Sequence, residues 1–199
     1  MLTGSSMLAA GLLALLLFWA TGAYNRLARM RSAVGQAFAE LDRLLLEQLG
    51  WLRAALPASL RAETSGTAEG ADEAAVAAWT RLAAAGEQLA VALQPVRARP
   101  ADRHAIDSLV LARAVLRDAW DEVLTCGWFL AEALPSRESL QAEWDRLQHQ
   151  EAPLIAGFND AVRAYNQAVA QFPAVLLAPL FGFRLARPLA AGSGGLGDD

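Results

Sequence analysis

The chain has 199 residues, 55% of them hydrophobic, and a formal net charge of −4. That length allows an anchor and one domain with a core of its own, and the charge gives no electrostatic reason to expect a nucleic-acid partner. All 17 basic residues are arginine, which reads as GC-rich coding bias, and one cysteine, Cys126, excludes an intrachain disulfide.

The first 25 residues carry no charged side chain. Leu2 to Tyr24, as a helix, measures roughly 35 Å and spans a hydrocarbon core of about 30 Å. Leu8, Leu12, Leu15, Leu16, Phe18 and Trp19 are its lipid-facing candidates, with Trp19 and Tyr24 near one interface. The rival reading is a cleaved signal peptide, with Thr21 and Ala23 before the cut. The segment lacks a basic start and runs longer than most signal cores, which favours retention. No cysteine follows, so a lipoprotein is excluded. Arg26, Arg29 and Arg31 lie just beyond the apolar run and none precedes it, so the positive-inside rule puts the body in the cytoplasm.

The pattern continues into the body. Leu27, Met30, Val34, Phe38, Leu41, Leu45, Leu52 and Leu56 recur mostly at three- and four-residue steps, one stripe of a long helix ending near Pro57. Residues 61–71 are small and polar and predict a flexible loop. A second helix follows, with Asp72 as N-cap and Val76, Trp79, Leu82, Gly86, Leu89 and Leu93 on one face. Pro95 and Pro100 are expected to close it and bracket a turn. A third helix starts near Asp102 and carries Leu109, Leu116, Val123 and Leu130, with Trp120, Gly127 and Leu134 beside them, up to Pro135.

Ser136 opens a fourth helix, with Glu138 in its first turn. Pro153 is expected to kink or split it. Leu154, Phe158, Val162, Tyr165, Val169 and Phe172 resume the stripe. The expected fold is all-α: a transmembrane helix (1–24) continuing into an antiparallel up-down bundle of about four long helices (25–172). With each helix reversing the last, Phe172 returns to the bilayer. The apolar segment 173–189, with Arg184 and Arg187, then lies in the interface or straps the end of the bundle. Residues 190–199 should be disordered.

Two blocks resemble the LemA family. Tyr24 to Asp42 (YNRLARMRSAVGQAFAELD) is similar to its opening, with a Tyr24-Asn25 pair after the anchor and an acidic Asp42. Phe158 to Phe183 is similar to its closing block: Asn159, Tyr165 and Asn166 lead into Phe172-Pro173 and then Leu180-Phe181-Gly182-Phe183. The resemblance implies a single-pass bacterial membrane protein, placed in the inner membrane, with a long helical bundle. It implies no established activity.

Candidate chemistry is thin. His104 and Asp107 share a helix face, but helix-start and surface roles are expected over a metal site. Cys126 is expected to be a buried, inert thiol. Asn25, Asn159 and Asn166 are poor helix formers beside tyrosines; cross-helix hydrogen bonds that fix register are the favoured role, and a polar contact surface near the membrane is the alternative. The resulting expectation is a non-enzymatic membrane-anchored scaffold or interaction protein, with no cofactor. Its partners would be the bilayer, a membrane-proximal protein and, through Ala10-Gly11 and Ala14, a second copy. An accessory protein binding lipid or a small ligand through its C-terminal apolar segment is the alternative. An enzyme would need a concave polar pocket joining distant ionisable side chains.

Overall fold

A computed structural model describes residues 4–57, 73–126, 136–172 and 174–189. The expected loop at 61–71, Asp72, Gly127, Leu130, Leu134, Pro135, Pro173 and the tail at 190–199 lie outside them. The described residues contain five helices and no strand: α1 (Gly4–Ala55), α2 (Glu73–Ala98), α3 (Arg103–Cys126), α4 (Arg137–Ala170) and a short α5 (Ala174–Leu177).

α1 is one uninterrupted helix of 52 residues, about 78 Å long at 1.5 Å per residue. Its two parts differ in environment. The segment before Tyr24 is apolar and unburied, and it is long and apolar enough to cross a membrane. From Leu27 onward the stripe turns inward, and Val34, Phe38, Leu41, Leu45, Leu49 and Leu52 are buried.

α1 pairs with α4 over the part that follows its apolar segment, from Arg26 beside Gln171 through Phe38 on Phe158 to Glu47 beside Arg146, and α2 pairs with α3. Gly86 lets α2 approach α1 closely, since a Cβ there would stand 2.8 Å from Leu52 Cδ2. Arg97 Nε on α2 meets both carboxylate oxygens of Asp42 at 2.9 Å. The turn between α2 and α3 therefore lies level with the middle of the buried part of α1, which begins at Leu27. The α2–α3 hairpin covers only the far part of the α1–α4 pair, and does not return to the apolar end as strict up-down alternation required.

Helix ends follow local chemistry. Asp102 caps α3, its Oδ1 accepting from Ala105 N–H at 3.1 Å, which holds its carboxyl below the usual range. Ser136 caps α4, its hydroxyl accepting from Ser139 N–H. Two proline expectations are corrected. Pro95 does not close α2, which runs on to Ala98. Of the two outcomes expected at Pro153, the split does not occur: α4 is continuous from Arg137 to Ala170. In both places packing of the apolar face outweighs one missing N–H donor.

Phe172 leaves the expected stripe: it is 74% exposed, because α4 ends at Ala170 and the chain turns away from the core.

Candidate functional site

The residues that carry the family-like pattern mostly converge at the end where α1 leaves the bundle. There Trp19 and Phe172 approach at 5.4 Å between ring centroids. Tyr24 packs edge-on against Phe181 at 5.3 Å and Phe183 at 5.8 Å. Arg26 donates to Gln171 Oε1 at 2.9 Å. A crevice of about 280 Å³ opens between the two segments, walled by Phe18, Trp19, Gly22, Ala23, Phe172 and Ala174.

The Leu180-Phe181-Gly182-Phe183 block is a helix stop. Phe183 N–H donates to Ala178 O at 2.9 Å, and Gly182 N–H donates to Pro179 O at 3.3 Å. Gly182 has a φ of 71°, which a side chain would strain. These two crossed bonds around a left-handed glycine form a Schellman motif, accompanied by a buried contact face of Ala178 and Phe183.

After this stop the chain doubles back along α4 as an extended strap, residues 183–189. Phe183, Ala186 and Leu189 are buried and the residues between them are exposed. Burial of every third side chain is the period of polyproline II, a conformation that Pro188 favours.

Asn159 and Asn166 hold the strap. Asn166 donates from Nδ2 to Ala186 O and accepts at Oδ1 from Ala186 N–H, both at 2.8 Å. Asn159 repeats the pair with Leu189, again at 2.8 Å. Each amide side chain thus acts as a neighbouring peptide. The spacing matches: seven residues of helix advance about 10.5 Å, and three of polyproline chain advance about 9.3 Å. Tyr165 adds a fifth bond, its hydroxyl donating to Arg184 O at 2.8 Å. Burial pushes its phenol pKa up.

The register reading of the asparagines is therefore corrected in its object. They fix the register of the strap on α4, not of helix on helix. Asn25 takes no part; it is exposed on the outer side of α1. Asp42 also stands apart, paired with Arg97. Of the flanking arginines, Arg29, Arg31 and Arg184 are exposed, and Arg187 pairs with Asp107 on α3 at 2.6 Å. That ion pair marks where the strap meets the hairpin, so the strap covers the stretch of the α1–α4 pair that the short hairpin leaves open. Ala174, Ala178, Phe183, Ala186 and Leu189 join the same core as Leu27, Val34, Val162 and Val169.

The segment is two-faced. Those five residues pack inward, while Val175, Leu176, Leu180, Phe181 and Leu185 face out, Leu180 at 79% exposure. Ala10, Gly11 and Ala14 are exposed on α1, as are Leu8, Leu12, Leu15, Leu16 and Phe18.

Other candidates disperse. His104 is exposed and Asp107 is engaged by Arg187. Among the described residues no three His, Cys, Asp or Glu side chains gather in a way that would hold a metal. Cys126 is half-buried at the last position of α3, 3.5 Å from Thr125 Oγ1, and not fully buried as expected. Sequence reasoning missed a polar layer in the far half of the bundle. Gln48, Arg113 and Glu151 are 4%, 5% and 3% exposed. Arg113 meets Glu151 Oε1 through Nε at 2.7 Å and Nη2 at 2.6 Å. Two turns away along α3 and α4, Trp120 stacks on Trp144 at 4.7 Å, with Trp51 against both. Each polar residue sits where its helix's three-four apolar stripe calls for a hydrophobic one, and that interruption was the available signal.

The arrangement defines an all-α bundle with an apolar helical extension and a backbone-clamped C-terminal strap. No protein-family model, curated protein or solved structure matches this chain.

Proposed function

We propose that this protein is a membrane-anchored helical scaffold or interaction protein of the LemA type, without catalytic activity. The observation that carries the reading is the continuity of α1. A membrane-length apolar segment with none of its side chains in the core passes without a break into the principal core helix. A helix joined in this way holds the bundle at a fixed height and angle, whereas a flexible linker would not. The blocks that resemble the family support the assignment, because the closing block supplies the clamp and the glycine stop and Tyr24 of the opening block packs against that stop. Arg26, Arg29 and Arg31 at the end of the apolar run support a cytoplasmic body in a bacterial inner membrane.

In this reading the exposed residues Phe172, Leu176, Leu180 and Phe181 contact lipid. Their position beside Trp19 and Tyr24 favours that role. The strap then serves both roles: its inner face closes the bundle and its outer face rests on the bilayer. Protein partners would meet the bundle surfaces held above.

Alkaline carbonate extraction of cells expressing the full chain tests the anchor. The protein should stay with the membrane pellet at its full length. Release into the supernatant, or a mature N-terminus beyond Ala23, would refute it. Protease added to intact spheroplasts should leave the body intact; digestion would reverse the orientation.

A further inference from the structure

A cleft of about 290 Å³ opens between α3 and α4, lined by Arg113, Arg117, Gln148, His149, Glu151 and Ile155 among others. A smaller void adjoins it, sharing Arg113, Arg117, Gln148 and Glu151 and lined also by Gln48 of α1. We infer that this cleft binds a small oxyanion, a carboxylate or phosphoryl group, held by Arg117 and the outer edge of Arg113, with the amide of Gln48 in the adjoining void. The inference does not depend on membrane attachment.

Three observations carry it. Gln48 is only 4% exposed and its amide makes no hydrogen bond with any described residue, yet its polar atoms are not among the sealed unpaired ones, which are Arg97 Nη2 and Trp120 Nε1. The amide is therefore open to the small void that it lines with Arg113, Arg117 and Glu151. Arg117 is half-buried and has neither an ion pair nor a hydrogen bond among the described residues. Burial lowers the Arg113 pKa, and Arg117 stands close enough for the two like charges to repel and lower it further. An anion between them removes that repulsion. Glu151 occupies only Nε and Nη2 of Arg113, so Nη1 has no partner among the described residues. Two guanidiniums against one carboxylate leave the cleft with a net charge of about +1, before any contribution from His149.

His149 lines the rim of the cleft, its Nδ1 donating to Asp145 O at 2.7 Å. The volume is at the small end for ligand clefts, which suits an anion of a few heavy atoms. A purely architectural polar layer explains less. The Arg113–Glu151 pair alone fixes register; it needs neither a free Arg117 nor an unpaired Gln48.

The test is isothermal titration calorimetry of the full-length protein in detergent, at low ionic strength, with inorganic phosphate and with succinate as probes. The variants are Arg117→Gln, Gln48→Leu and, as a control, Arg163→Gln, since Arg163 pairs with Asp160 on an exposed face of α4. We expect saturable binding that Arg117→Gln weakens at least tenfold, Gln48→Leu several-fold and Arg163→Gln not at all. Without anion, Arg117→Gln should melt no lower than the wild type, because it removes an unpaired like charge. That readout separates lost binding from lost folding. Binding of phosphate alone assigns a phosphoryl ligand, of succinate alone a carboxylate, and of both a general oxyanion site. No heat with either probe, or heat that persists in Arg117→Gln, overturns the inference.

Discussion

The strap seat and the polar layer are both polar insertions in an apolar core, yet they are finished differently. At the seat, Asn159 and Asn166 each make two hydrogen bonds of 2.8 Å, and Tyr165 makes a fifth. In the layer, Glu151 takes up only Nε and Nη2 of Arg113, and Gln48 has no hydrogen-bond partner among the described residues. A fully paired network specifies one structure; a half-paired one costs stability. The seat is therefore architecture, and the layer has capacity left for something else.

Breaking the layer should produce the largest effect. Glu151→Ala leaves a buried guanidinium unpaired and should cost about 3–5 kcal/mol. The double change Arg113→Leu with Glu151→Leu should recover most of that, because an apolar pair of suitable volume dispenses with the desolvation of both ions. Urea unfolding followed by circular dichroism reads both. If the single variant costs under about 1 kcal/mol, the layer is wet and the contrast with the seat disappears.

The seat should respond more locally. Asn166→Leu strands the N–H and C=O of Ala186 and should cost about 2 kcal/mol. Its effect should concentrate in the strap: amide exchange at Ala186 and Leu189 should accelerate while α2 and α3 stay protected. Equal acceleration throughout would mean that the strap is part of the cooperative core. A rise in stability would return the asparagine to a helix-register role.

Tyr165→Phe removes one hydrogen bond and should cost about 1 kcal/mol. Burial raises the folded pKa of Tyr165 above its ordinary value of 10.0. The folded state therefore favours the protonated phenol. That contribution is complete below pH 10 and is lost as pH rises through the folded value. The stability gap between wild type and Tyr165→Phe should narrow above about pH 10. A gap unchanged up to pH 11 would show that the hydroxyl is not sealed.

Smallest is Gly182→Ala, which should cost about 1 kcal/mol through strain at positive φ. A neutral result would mean that the helix stop is not needed to aim the strap.

The sequence made the all-α fold legible because three-four apolar periodicity survives any packing partner. Val34, Phe38, Leu41 and Leu45 on α1 and Phe158, Val162 and Tyr165 on α4 are all core. The hairpin's short reach was not legible, since it depends on where Arg97 meets Asp42. The prolines misled because their cost is local, while the helices around Pro95 and Pro153 are held by packing over many turns. The asparagines stood out by type, yet their object, an extended backbone three residues per step, has no helical signature. The polar layer was written as Gln48, Arg113 and Glu151 at core positions, but each alone reads as an ordinary interruption of its stripe; only the fold brings them together.

In the proposed arrangement the chain would meet the bilayer twice, through the start of α1 and through the outer face of the C-terminal segment. Depth-dependent quenching by brominated lipids decides it most directly. The full chain in lipid nanodiscs would carry a single fluorophore in turn at Leu17, Leu180 and Leu46, all exposed, with Leu46 far along the bundle. The account predicts strong quenching at Leu17, clear quenching at Leu180 by bromines near the headgroups, and none at Leu46. A probe at Leu180 that stays as bright as one at Leu46 would contradict the second attachment and leave α1 as the sole tether.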